Sequence, residues 1–163
     1  MSQPNQLSRA LAKAQKLPTP LRRFAMTKAF TLKVRFAGTG GVWIEEAGDG
    51  RAVLTMKNRR KVQNHIGGIH AAGMALLAES ATGVAFGLSI PDSHIPLLKS
   101  MKINYVKRAQ GDLRAEATLP PAQRQLMQTQ EKGDALVPVK VTDAAGGEPI
   151  QCEFVWAWVP KKR

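Results

Sequence analysis

The chain has 163 residues, of which 44% are hydrophobic and 22% are charged, and its formal net charge is +12. This length and composition indicate one globular domain with a hydrophobic core and exclude a wholly disordered chain. The positive charge favours an anionic partner, such as nucleic acid, an anionic membrane or the phosphates of coenzyme A.

The single cysteine, Cys152, cannot form an intramolecular disulfide and is typical of a protein from a reducing compartment. It lies in a strand-like run without a neighbouring histidine, and we interpret it as structural. The sequence has no apolar secretory signal and no uninterrupted apolar stretch of about 18 residues. We therefore expect a cytoplasmic protein without a membrane span.

Residues 1–35 are interpreted as a basic helical extension that precedes a single domain at 36–163. Helices are expected at 5–17 and 21–31, because Pro18-Thr19-Pro20 interrupts the helical pattern between them. No Asp or Glu precedes Glu45, whereas eight Lys and Arg residues do. We expect the extension to pack on its own domain. Contact with a lipid or partner surface is one alternative, and an organelle transit peptide is another.

The rest of the chain predicts a hairpin, one buried helix and a series of strands. Asp49-Gly50 separates two β-prone runs, which is typical of a β-hairpin. Residues 66–83 are small or apolar on every side, as in a buried helix, and Asn64 is its expected N-cap. Strands are expected at 84–90, 100–106, 113–119, 137–142 and 150–159. This order predicts an α+β hotdog fold, in which a curved antiparallel β-sheet wraps a long central helix.

Two polar residues stand out in this apolar helix, His70 and Glu79. Burying an unpaired carboxylate costs several kcal/mol and raises its pKa, so we interpret Glu79 as functional rather than as a helix-end residue facing solvent. His70 is expected to orient its neighbours. Gly67-Gly68, at the expected helix start, predicts either exposed backbone N–H groups that bind an anion or close helix packing.

The run from Asn64 to Ala72, followed by Glu79, resembles the signature of hotdog-fold acyl-CoA thioesterases of the phenylacetyl-CoA thioesterase type. Asn64, Gly67, His70 and Glu79 match that signature in type and spacing. The best match is to a less characterised branch of this superfamily. The segment 101–111 also resembles one of the family's strands, and the whole resemblance covers about residues 40–160.

The resemblance implies hydrolysis of an acyl-CoA or acyl-carrier thioester, with coenzyme A only as part of the substrate and no separate cofactor or metal. It implies that Glu79 acts as nucleophile or general base and that Asn64 places the water or the substrate. The backbone N–H of Ala71 would polarise the thioester carbonyl. Ala71-Ala72 stand where the family has two glycines, so a catalytically inactive acyl-CoA or lipid-carrier binding protein remains the alternative.

Helix geometry adds a prediction about assembly. Residues 71 and 79 of one helix are about 12 Å apart along its axis, whereas groups that act on one carbonyl must come within about 3 Å of it. We therefore predict a homodimer, or a homotetramer, with each site formed by Glu79 of one chain and Ala71 of another.

Basic side chains near the predicted site are expected to bind the phosphates of coenzyme A, unless they form an ordinary solvated surface. They are Arg59, Arg60, Lys61, Lys107 and Arg108. A nucleic-acid partner is disfavoured, because only 6% of the residues are aromatic and these are not interleaved with the basic clusters. A hydratase is disfavoured as well, since the Asp-x-x-x-x-His pattern of such enzymes is not apparent.

Overall fold

A 17-residue apolar helix and seven antiparallel strands make up much of the computed structural model, which describes residues 5–161. The helices are α1 (Gln6–Gln15), α2 (Thr19–Lys33), α3 (Arg35–Gly40), α4 (Ala71–Gly87) and α5 (Pro121–Thr129). The strands are β1 (Val42–Gly48), β2 (Arg51–Met56), β3 (His94–Tyr105), β4 (Leu113–Thr118), β5 (Gly133–Leu136), β6 (Val139–Asp143) and β7 (Ile150–Pro160). The predicted α+β class with antiparallel strands is confirmed.

The strands form two sheets rather than one. The first has the order β1-β2-β4-β6 and the second the order β3-β7-β5. The chain between β5 and β6 connects them, because Val137 N donates to Phe154 O of β7 at 2.9 Å and Thr118 N of β4 donates to Pro138 O at 3.1 Å. The two sheets therefore meet along this segment and can close around one core.

Helix α4 contributes buried residues to that core and contacts strands of both sheets. Its Leu77 and Phe86 are fully buried, and the Phe86 ring lies 5.9 Å from that of Trp156 and 6.3 Å from that of Trp158. A Cβ atom on Gly83 would lie 3.0 Å from the Trp156 ring, so glycine lets α4 approach β7 closely.

The N-terminal helices are docked on this core. Met26 of α2 is buried, and Thr27 Oγ1 accepts a hydrogen bond from Ile44 N of β1 at 2.9 Å. Asn5 caps α1 and also donates from Nδ2 to Gly87 O and Ile90 O, both at 2.7 Å. The segment before β1 is thus fixed at two points, on a strand of the first sheet and at the C-terminal end of α4.

The predicted hairpin is confirmed by the pairing of β1 with β2. Asp49 and Gly50 both adopt positive φ, of 49° and 74°, which is the backbone conformation that an Asp-Gly hairpin turn requires.

Helix α4 begins later in the chain than predicted. Its N-cap is His70, not Asn64, and Gly67-Gly68 lie in the preceding turn rather than at the helix start. Gly67 has a φ of +77°, and Asn64 N donates to Gly68 O at 2.8 Å, which gives this segment a turn in place of helical hydrogen bonds.

The strand predicted at 84–90 was wrong, one strand was missed, and another begins earlier than predicted. Residues 84–87 form the last turn of α4, because the apolar run continues the buried face of the helix instead of starting a strand. Strand β5 was not predicted, and β3 begins at His94 and includes Pro96, which an edge strand tolerates because one side of its backbone needs no ladder partner.

Prediction on the core: Thr82→Val will destabilise the protein by about 1–3 kcal/mol. The fully buried Thr82 hydroxyl donates to Glu79 O and accepts from Trp156 Nε1, both at 2.9 Å, so the isosteric valine leaves a buried indole N–H unpaired. Urea unfolding measures the change. Thr129→Val, at an exposed position of α5, is the control, and equal effects of the two substitutions would contradict the expectation.

Candidate functional site

Glu79 carries the only ionisable side chain of α4 and is half-buried. Burial disfavours the charged carboxylate and raises the pKa of Glu79, which the nearby Ser80 hydroxyl partly opposes. Ser80 itself is 1% exposed, and its Oγ makes no well-aligned hydrogen bond to any residue in the range 5–161. A carboxyl group of raised pKa next to a buried hydroxyl is an arrangement suited to proton transfer.

A cavity of about 430 Å³ opens beside Glu79. Its walls are mainly apolar and come from distant parts of the sequence: α1, α2, α4, the start of β3, and β7. Phe30, Ile90 and Trp156 supply apolar surface, and Lys33 places a cation at the same wall. The sequence did not reveal the part played by α2, since only the docking of this helix brings it to the cavity.

The turn before α4 is organised by Asn64. Its Oδ1 accepts from Ile66 N at 3.1 Å and from Gly68 N at 3.2 Å, while Gly67 N donates to Asn64 O at 3.1 Å. The amides of Gly67 and Gly68 are thus already bonded, which corrects the expectation that they are exposed N–H groups of a helix terminus. Within residues 5–161 no acceptor is found for Asn64 Nδ2.

The first amide of α4 remains unbonded. His70 Nδ1 accepts from Ala72 N at 3.0 Å, which requires the proton of a neutral ring to be on Nε2. Gly73 N and Met74 N donate to His70 O at 2.8 and 3.1 Å. In the part of the chain that the structure describes, Ala71 N–H alone in this turn has no partner. The predicted orienting role of His70 has a geometric basis in this cap.

Residues outside the predicted set hold this turn in place. Asp112 accepts from Asn58 N at 2.8 Å and from Lys57 Nζ at 2.7 Å, and the bond from Lys57 contributes most to lowering the pKa of Asp112. Asn58 Nδ2 in turn donates to Gly67 O at 3.0 Å. Tyr105, at the end of β3, donates from its hydroxyl to Ala71 O at 3.0 Å.

The basic side chains predicted to bind phosphate are exposed, but they are not all directed towards the same part of the surface. Arg108 donates to Ile66 O at 2.9 Å and lines a second cavity of about 410 Å³ together with Gly67 and Gly68. Arg59, Arg60 and Lys61 immediately precede the turn. Lys107 instead extends towards Asp143 and Gly147, in the turn between β6 and β7.

The predicted site residues thus fall into two groups within one chain. Asn64, Gly67, Gly68, His70 and Ala71 lie in the turn and first residue of α4. Glu79 lies about 12 Å further along the same helix, in a cavity that none of those five residues lines.

Three further features bear on function: metal-ligand clusters, the single cysteine and helices that could span a membrane. Among residues 5–161 no cluster of three or more His, Cys, Asp or Glu side chains has the arrangement to hold a metal ion. Burial raises the pKa of the Cys152 thiol to about 11, which keeps it protonated at neutral pH. No helix in the described range has the length and apolar character needed to cross a membrane.

Residues 22–159 match the family described as Domain of unknown function (DUF4442), and the chain belongs to that family. A comparison with curated proteins gives no match. Among solved structures, the fold is similar to a protein of Pseudomonas aeruginosa described as a "Probable Thioesterase" of unknown function. That similarity has a TM-score of 0.75 and 25% identity, and covers 89% of this chain and 97% of the other.

A thioesterase from Staphylococcus aureus is similar as well, with a TM-score of 0.67 and 21% identity over 77% of this chain and 99% of the other. A thioesterase from Haemophilus influenzae has a TM-score of 0.64 and 14% identity, over 77% of this chain and 82% of the other. The chain therefore has a thioesterase-like fold.

Prediction on the carboxyl group: Glu79→Gln will gain stability relative to the native protein as the pH rises from 4 to 7.5. A raised folded-state pKa means that the native protein is most stable below the unfolded-state pKa of Glu79 and loses stability as the pH rises through the folded-state pKa. Glutamine removes that loss. Urea unfolding at both pH values measures the difference, with Glu131→Gln as the exposed control. A pH-independent difference for Glu79→Gln would show that folding does not raise the pKa of Glu79.

Proposed function

We propose that this DUF4442 protein is an acyl-CoA thioesterase with a hotdog fold, and that it acts as a homodimer with each site shared between two chains. The observation that carries the proposal is the half-buried Glu79 beside an apolar cavity, in a chain whose structural relatives include proteins described as thioesterases. The contacts of α4 with both sheets support the hotdog arrangement.

In the proposed reaction Glu79 acts first as a general base and then as a general acid. It takes a proton from a water molecule as the water oxygen attacks the thioester carbonyl carbon. The protonated Glu79 then donates this proton to the sulfur atom as the carbon–sulfur bond breaks, which releases the thiol and a carboxylic acid. The raised pKa of Glu79 makes the carboxylate a better proton acceptor near neutral pH. The unbonded amide of Ala71 of the partner subunit donates to the carbonyl oxygen as negative charge develops on it.

The separation of the two groups supports a site formed by two chains. Ala71 and Glu79 lie on the same helix, too far apart to reach one carbonyl. Strand β3 is a 12-residue edge strand that pairs only with β7 among the described strands, so its other edge is available to a second copy. Along β3, Leu97, Met101 and Tyr105 are exposed, which favours their burial in such an interface.

Coenzyme A would approach from the turn before α4. The second cavity lies beside Gly67 and Gly68 and presents the guanidinium group of Arg108. Arg59 and Arg60 are close in sequence and exposed, which suits them to the phosphate groups of the nucleotide end. Lys107, directed towards Asp143, is the least suited of the predicted set.

The alternative function is binding of an acyl thioester without hydrolysis. The observation in its favour is the pair Ala71-Ala72, whose methyl groups occupy space that glycines in the resembling family leave open. Ala72 is exposed, so its methyl group projects from the helix terminus where a substrate would lie.

Prediction on catalysis: Glu79→Gln will lower kcat for acyl-CoA hydrolysis more than about 100-fold, because glutamine cannot accept the proton of the attacking water. Thiol release from short, long and aryl acyl-CoA substrates measures the rate, with Glu131→Gln as the control. An unchanged kcat in the Glu79 variant would remove this residue from the mechanism. Tight acyl-CoA binding without turnover by the native protein would favour the alternative function.

Prediction on the shared site: Ala71→Pro will also abolish hydrolysis without unfolding the protein. Proline is well tolerated at the first position of a helix and removes the N–H that is proposed to bind the oxyanion. His70, with φ −60° and ψ 148°, already has the extended conformation that the residue before a proline prefers.

Co-expression of the two inactive variants tests how the site is assembled. If each site uses Glu79 of one chain and Ala71 of the other, half of a random mixture is heterodimer and each heterodimer has one intact site, which restores about a quarter of native activity. If both groups of a site belonged to the same chain, the mixture would remain inactive. Ala71→Gly, which keeps the N–H, is the matched control and should remain active alone.

A further inference from the structure

The outer face of α2 carries a row of exposed apolar side chains. Leu21, Phe24, Lys28 and Leu32 are spaced by three or four residues and therefore lie along one side of the helix. Leu21, Phe24 and Leu32 are 57%, 50% and 76% exposed. We refer to these four residues as the outer stripe. Large apolar side chains aligned on a surface helix are typical of a binding surface.

The stripe cannot be buried by rotation of α2, because the other face of the helix is fixed. Met26 is 2% exposed, and Thr27 is bonded to β1 through its hydroxyl. Phe24 contacts Trp43 of β1 with a distance of 6.5 Å between ring centroids, and Lys28 Nζ lies 5.6 Å from the Phe24 ring centroid. The outer stripe is thus held facing outward by the fold itself.

Every charged side chain of α2 is positive. No Asp or Glu occurs in residues 1–44, while Arg22, Lys28, Lys33 and Arg35 lie on or next to α2. Arg23 is paired with Glu45 at 2.9 Å, but no ion pair involves the other four cations within residues 5–161. Apolar side chains surrounded by unpaired cations match the chemistry of an anionic lipid surface, whose interior accepts leucine and phenylalanine while its headgroups attract lysine and arginine.

We propose that the outer stripe of α2 docks this protein on anionic lipid membranes. A second copy of the chain fits the same surface less well, because a two-fold contact would bring two sets of unpaired cations together. A nucleic acid would satisfy the cations but would leave the leucines without an apolar partner. Helix α2 also lines the Glu79 cavity through Ala29, Phe30 and Lys33, so docking would bring that cavity close to the lipid surface.

Co-sedimentation of the full-length protein with vesicles tests this surface independently of any enzymatic activity. The native protein should bind vesicles of phosphatidylcholine with 30% phosphatidylglycerol, should bind pure phosphatidylcholine vesicles much less, and should lose affinity as the salt concentration rises. The double substitution Leu21→Ser and Leu32→Ser should weaken binding to the anionic vesicles about tenfold or more. Lys28→Gln should weaken it by a smaller factor.

The matched control is the double substitution Leu126→Ser and Leu136→Ser, which changes two leucines that are each 45% exposed on α5 and β5. It should leave vesicle binding unchanged. Failure of the native protein to bind anionic vesicles would overturn the proposal, as would equal binding by the stripe variant. A change in the sedimentation of the free protein caused by the stripe substitutions would also overturn it, because this would identify a contact between copies. So would binding of single-stranded RNA with the same dependence on Leu21 and Leu32.

Discussion

The carboxyl group of Glu79 lies half-buried on a helix whose other residues are all uncharged, and that helix has to contact both β-sheets. A helix that contacts both sheets needs small or apolar side chains on most of its surface. A charged side chain is tolerated only where that surface faces a cavity or solvent. Here the opening is the cavity beneath α2. Glu79 therefore lies at a position of an apolar helix where an ionisable side chain can be accommodated. Its partial burial there raises the pKa of its carboxyl group.

Close packing of α4 depends on small residues at its contacts. Besides Gly83 against Trp156, Gly40 of α3 lies where a Cβ atom would come within 2.5 Å of Leu76 Cδ2. These contacts hold the helix against β7 on one side and α3 on the other. The face that includes Ala72, Ala75 and Glu79 is the least enclosed, and it is this face that the proposed dimer would cover.

Much of the fold follows from local sequence, and the exceptions have physical causes. The Asp49-Gly50 hairpin and the buried helix were predictable, because turn chemistry and an all-apolar pattern act locally. The start of α4 was not predictable from local sequence. Asparagine is a common N-cap residue, but here the side chain and backbone of Asn64 bond to the Gly68 backbone and form a turn instead of a helix. Strand β5 is only four residues long and acquires its conformation from pairing with β7.

The candidate site was selected from residue types and spacing, because Glu79 and the turn before α4 share one continuous segment. That these residues act in one site stays a prediction. The cavity was not predictable, since Phe30 and Lys33 reach it only through the docking of α2 on β1. The supporting pair Asn58 and Asp112 was missed because their contact joins residues that are far apart in sequence.

Alanine at residues 71 and 72, where the resembling thioesterases have glycine, is compatible with the backbone that the structure requires there. Both residues are helical, and alanine favours a helix by about 1 kcal/mol per residue over glycine, so the two alanines stiffen the first turn. His70 and Tyr105 hold the same turn from either side, through Ala72 N and Ala71 O. The amide of Ala71 is therefore presented more rigidly than a glycine amide would be, which favours an oxyanion contact. The alanines also leave less room for a substrate, because each methyl group narrows the approach to that amide. In the proposed site, this combination favours thioesters whose acyl chain is slender next to the carbonyl and extends into the apolar cavity beside Glu79.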